Sequence, residues 1–141
     1  MLSQQEMSDR FEIQDLLTRY SAAIDQRRWD DLDALFTADA VLDYTATGGI
    51  KGTLTEHKAY NAQVLTSFQG TQHLMAMPVV ELAGDTARSR TICFNPMVVD
   101  DQHVFFVGLW YLDTLVRTAV SWRFAERVEE RSYFHNLSRP T

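Results

Sequence analysis

The chain has 141 residues, enough for one domain with a buried core, and its 45% hydrophobic and 23% charged content excludes a disordered chain. A net charge of −6 argues against a nucleic-acid partner, which would require a basic face, and no apolar run approaches the roughly 18 residues of a membrane span. The polar, acidic start MLSQQEMSDRFEIQ predicts no secretory signal, and the lone Cys93 excludes an internal disulfide framework and fits a reducing cytoplasm.

Helices are expected first. Asp9 followed by Glu12 reads as a helix start with a capping-box partner. From there Ile13, Leu16, Leu17, Tyr20, Ala23 and Ile24 recur at helical spacing to about Gln26. Trp29, Leu32, Leu35 and Phe36 mark a second, shorter helix. A strand follows from Val41 to Thr45, then a Thr47-Gly48-Gly49 turn suited to a hairpin. Leu54 to Phe68 predicts a third helix. Residues 72–80, 86–99, 103–116 and 119–136 read as four strands, rich in Val, Ile, Thr, Phe, Trp and Tyr. Their short links imply an antiparallel meander, and helices grouped before strands imply α+β in a single domain, residues 1–141. Such a sheet curling over helices leaves room for a pocket between them.

Asp25 lies near the end of helix one, beside its apolar stripe. It is either a solvated carboxylate or an inward partner for a histidine. His73, in Thr71-Gln-His-Leu-Met-Ala-Met77, shares a strand face with Met75 and Met77 by alternation. It is either a core histidine satisfied by one hydrogen bond or a general base near neutral pH, with a carboxylate fixing its tautomer. Tyr20 and Tyr44 are hydroxyl candidates; Asp43, next to Tyr44, faces the other way. Arg127, Arg131 and Tyr133 share one face of the last strand. If that face is concave an arginine there could steady an enolate oxygen; if convex, both are surface charge. Arg117, Arg123, Arg127 and Arg131 interleave with Glu126, Glu129 and Glu130, which reads as a solvated face of mixed charge rather than a basic stripe.

The four histidines (His57, His73, His103, His135) show no metal-ligand spacing. There is no glycine-rich nucleotide motif and no GxSxG elbow, so no cofactor and no metal is expected. Cys93, mid-strand, reads as packing.

The segments Phe11-Glu-Ile-Gln-Asp-Leu-Leu-Thr-Arg-Tyr20, Ala23-Ile-Asp25, Trp29-Asp-Asp-Leu-Asp-Ala-Leu-Phe36 and Asp39-Ala-Val-Leu-Asp-Tyr44 resemble the opening of SnoaL-like proteins, within the nuclear-transport-factor-2-like superfamily. The resemblance extends over nearly the whole chain. It is greatest to the branch holding scytalone dehydratase, bile acid 7α-dehydratase and the hexachlorocyclohexane dehydrochlorinase. It implies a cone-shaped roll of cystatin-like topology, its curved, mostly antiparallel sheet wrapped around about three N-terminal helices. It also implies a catalytic dyad, whose matching positions here are Asp25 and His73. The bile acid enzyme has functional tyrosines matching Tyr20 and Tyr44 and an arginine matching Arg131; the dehydrochlorinase has an arginine matching Arg127. Asn95 is the candidate to stand in for the asparagine that the fungal dehydratase uses, and that enzyme's second histidine is not placed by the resemblance. Ketosteroid isomerases carry their base where Tyr44 stands, so an isomerase would lack its base.

The resulting expectation is a cofactor-independent lyase of dehydratase type. Its substrate would be an apolar ring compound of steroid, terpenoid or aromatic polyketide kind, bound among Met75, Met77, Phe94, Phe106 and Trp110. An isomerase, a polyketide cyclase, an epoxide hydrolase and a non-catalytic binding domain are the alternatives; the hydrolase would need a second inward acid, and the pattern offers none. Strand edges in this fold are usually covered by self-association, so the resemblance implies a homo-oligomer, a trimer as in the dehydratases or a dimer as in the wider superfamily.

Overall fold

The computed structural model describes residues 1–138. Helix α1 spans Gln4–Asp25 and begins at a capping box formed by Ser3 and Glu6, six residues before the expected one at Asp9 and Glu12. Asp9 therefore lies inside the helix. It is buried, held by Arg117 through two contacts of 2.6 and 2.7 Å, and it accepts from Trp122 Nε1 at 3.1 Å. The Arg117 guanidinium holds the Asp9 carboxyl down at about 2. This cluster clamps the first turns of α1 to the far end of the sheet.

A 3-10 turn, Trp29–Ala34, replaces the expected second helix. Strand β1 is Phe36–Asp43 and pairs with the short β2, Lys51–Thr53, as the anticipated hairpin. The connection turns on Gly48, whose φ of 93° suits only glycine. Helix α2, Leu54–Val64, starts at a second capping box, Thr53 with Glu56, and continues as a 3-10 turn, Leu65–Ser67.

The remaining strands are β3 (Gly70–Thr71), β4 (Leu74–Met75), β5 (Val79–Ala83), β6 (Thr86–Asp100), β7 (His103–Arg117) and β8 (Trp122–His135). The sheet runs β2-β1-β8-β7-β6-β3, with β4 and β5 also on β6, and all pairs are antiparallel except β1 with β8. The fold is α+β, the mostly antiparallel sheet enclosing α1 as a cone. Ile13, Leu16, Leu17, Leu115, Trp122 and Phe124 close its narrow end.

The expected strand 72–80 is broken into pieces. Gln72 faces Pro96 on β6, and proline has no N–H for the ladder. Asn95 Nδ2 instead donates to the Gln72 carbonyl at 2.9 Å. Beyond Met75 the register slips by one residue before Val79 meets Arg90, so alternation does not carry through Met77. Strand β8 holds an extra residue, Ser132, between the pairs Leu109–Arg131 and Gly108–Tyr133. That bulge puts Tyr133 on the outer face and Phe134 on the inner one.

Candidate functional site

At the open end of the cone is a cavity of about 410 Å³, within the usual range for small-molecule sites. Its walls are largely apolar: Ile24, Val64, Leu65, Phe68, Met97, Phe105, Val107, Leu109 and Phe134. The polar groups reaching it include His73, Tyr20, Tyr44, Tyr111, Asn95, Thr47 and Glu129.

Asp25 is the last residue of α1. One of its oxygens accepts from His73 Nδ1 at 2.7 Å and from the Thr71 hydroxyl at 3.0 Å; the other accepts from the His73 backbone N–H at 2.8 Å. A carboxylate only accepts, so it selects the tautomer with the proton on Nδ1 and leaves Nε2 with its lone pair. The interrupted ladder contributes directly: the backbone N–H of His73 turns to Asp25, while Asn95 fixes the preceding peptide. The end of α1 is itself anchored, because Arg27, at φ 57°, sends its guanidinium to the carbonyls of Leu65 and Phe68.

The Tyr20 and Tyr44 hydroxyls lie 2.7 Å apart. Burial pushes the Tyr20 hydroxyl up to about 12 and raises that of Tyr44 as well. Both remain protonated near neutral pH. One of their two protons joins the pair and the other is available to a ligand oxygen. Behind them the Arg127 guanidinium is fully buried. It lies 4.2, 3.9 and 4.2 Å from the ring centroids of Tyr20, Tyr111 and Phe124, and it is bound to Asp113 at 2.7 and 3.0 Å.

Glu129 lines the cavity and is buried. Burial pushes its carboxyl up to about 6, against the opposing influence of the Thr47 hydroxyl, His73, Tyr111 and Arg127. It overturns the expectation that the sequence offers no second inward acid. The signal was present: the alternation that places Arg127 inward places Glu129 inward too.

A family model described as a SnoaL-like domain matches residues 5–128. The chain belongs to the SnoaL-like family. It is 53% identical over 135 residues to the uncharacterized protein Rv2910c of Mycobacterium tuberculosis, covering 94% of this chain and 92% of that one. Two solved structures share the fold at low identity. A candidate scytalone dehydratase of Novosphingobium aromaticivorans has a TM-score of 0.83 at 20% identity, over 96% of this chain and 91% of that one. A hexachlorocyclohexane dehydrochlorinase, LinA type 2, has a TM-score of 0.83 at 18% identity, over 95% and 92% of the two chains.

Within this SnoaL-like cone, the cavity gathers His73, Tyr20, Tyr44 and Asn95, with Asp25 directly behind His73. Other expected site residues stand elsewhere. Arg127 faces inward but lies beneath Tyr20, deeper than the cavity floor. Arg131 is exposed, 5.1 Å from the Phe134 ring, and does not line the cavity, although its strand partner Leu109 does. Tyr133 covers Gly108 on the outer face. Phe94 stacks on Phe106 there, and Trp110 lies under Arg90. Met75 packs against the core without reaching the cavity, and Met77, in the register slip, is 78% exposed. The mixed-charge face expected on β8 is divided likewise: Arg127 and Glu129 are buried, Glu126, Glu130 and Arg131 exposed. Among the described residues no three His, Cys, Asp or Glu side chains group as metal ligands, and no helix is long and apolar enough to cross a membrane.

Glu129 gives a pH dependence with a definite sign. Its carboxyl is raised from 4.5 to about 6, so between those values the folded protein keeps a proton that the unfolded chain has lost. Stability therefore falls as pH rises through that window, by about 2 kcal/mol in all. The groups facing it are His73, Tyr111, Arg127, Tyr20, Tyr44 and Cys93. Replacing Glu129→Gln removes the effect. Urea denaturation is expected to show the variant gaining on the wild type between pH 4.5 and near-neutral pH; a gap constant with pH would contradict this.

Proposed function

We propose that the cavity is the active site of a cofactor-independent lyase of dehydratase type acting on an apolar cyclic carbonyl compound. The observation that carries the reading is the Asp25–His73 contact of 2.7 Å at the wall of an apolar cavity. Nδ1–H is held by Asp25, so Nε2 is the nitrogen that meets the ligand. It removes the proton beside a carbonyl, and Asp25 offsets the imidazolium charge as it forms. The free proton of the Tyr20–Tyr44 pair donates to the carbonyl oxygen, where charge develops in the enolate. The base supplies roughly 10²–10⁴-fold in rate. The apolar wall holds the carbon skeleton and excludes water from the reacting centre. Membership of the SnoaL-like family and a fold shared with a dehydrochlorinase are compatible with elimination chemistry.

Self-association belongs to the same reading. Phe94, Ile92, Val79 and Tyr133 leave apolar surface exposed on the outer face of the sheet, which suits a second copy of the chain. His73→Ala is expected to remove turnover of a β-hydroxy ketone by at least 10²-fold while the circular dichroism spectrum stays unchanged. Undiminished turnover would sink the proposal.

A further inference from the structure

We propose that Glu129 is the catalytic acid of this site, delivering a proton to a leaving hydroxyl while His73 removes the proton from carbon. The inference rests on the elimination reading above and assigns the second half of that reaction to a group the dyad does not contain.

Three observations support it. Among the described residues, Glu129 and His73 are the two carboxyl or imidazole side chains that line the cavity. The two come from different parts of the sheet, Glu129 from β8 and His73 from the segment between β3 and β4, with β6 and β7 in between. Base and acid can thus address different atoms of one ligand. Burial of Glu129 also favours its neutral, proton-carrying form, and it does so against the Thr47 hydroxyl that donates to Glu129 Oε2.

The step balances. His73 Nε2 takes the α-proton, and the C–H electron pair becomes the new C=C bond. The Cβ–O bond breaks with its electrons leaving on oxygen. That oxygen takes the Glu129 proton and departs as water. Imidazolium and carboxylate remain, and transfer of one proton between them through water restores the starting state. The substrate class is a β-hydroxy carbonyl compound whose leaving group is too basic to depart unprotonated.

The probes are the aldol adduct of benzaldehyde with acetone, a β-hydroxy ketone, and its acetate ester, whose leaving acetate needs no proton. With Glu129→Gln, elimination from the hydroxy ketone is expected to fall by 10²-fold or more and from the acetate by less than tenfold. Glu129→Asp is expected to recover part of the first loss. Acetate turnover shows that the variant is folded. Equal losses on both probes, or none on either, would overturn the assignment, as would failure of the wild type to act on either compound. The elimination reading fails separately if His73→Ala retains activity on both.

Discussion

Replacing Asp113→Ala is expected to lower the free energy of unfolding by about 3–5 kcal/mol, a large part of the roughly 5–15 kcal/mol available to a domain of this kind. The Arg127 guanidinium is fully inside the cone, and among the described residues Asp113 on the neighbouring strand is the carboxylate bonded to it. Three aromatic rings at about 4 Å complete its surroundings. The faces of these rings favour the cation but cannot replace a bidentate partner. Without Asp113 an uncompensated charge stays buried. The pair Asp113→Leu with Arg127→Met leaves no charge behind and is expected to recover most of the loss. Chemical denaturation followed by circular dichroism measures both; equal destabilisation by the single and double changes would contradict this account. The consequence reaches the site, since Arg127 is the surface on which the Tyr20 ring rests.

The second large effect is expected from Asp25→Asn, a near-isosteric change that should leave the fold intact and reduce turnover by roughly 10²–10⁴-fold. Asp25 accepts three hydrogen bonds, two on one oxygen and one on the other. Asparagine can place an oxygen at only one of those positions. If its NH₂ meets the backbone N–H of His73, two donors collide and the segment shifts. If it meets Nδ1, the ring must accept there and carry its proton on Nε2, which removes the base. Kinetics on the β-hydroxy ketone would show the fall in kcat with the circular dichroism spectrum unchanged. A kcat equal to that of the wild type would contradict the dyad.

Much of this architecture is legible in the sequence because it rests on periodicity. Ile13 to Ile24 at helical spacing mark α1, and the β-branched and aromatic runs mark β6, β7 and β8. What is not legible depends on partners distant in sequence. Nothing within residues 72–80 shows that Pro96 stands opposite Gln72, so the break that presents His73 to Asp25 is invisible from that segment alone. Ser132 looks like any strand residue, yet the bulge there sends Tyr133 outward and ends the run of inward positions. Asp9 matches a helix cap in type and spacing, and only the arrival of Arg117 and Trp122 makes it a clamp. Glu129 is the instructive omission: its place two residues from Arg127 marks it as inward, but charge alternation along β8 suggests a wet surface.

The central claim is that His73, held by Asp25, takes a proton from carbon inside the cavity. Its most direct test needs no leaving group. Benzylacetone, a ketone with nothing to eliminate, is incubated with the protein in D₂O and its α-protons are followed by NMR. Exchange well above the buffer rate is expected with the wild type and with Glu129→Gln, and its loss with His73→Ala. Exchange by His73→Ala at the wild-type rate, or none by the wild type, would contradict the account.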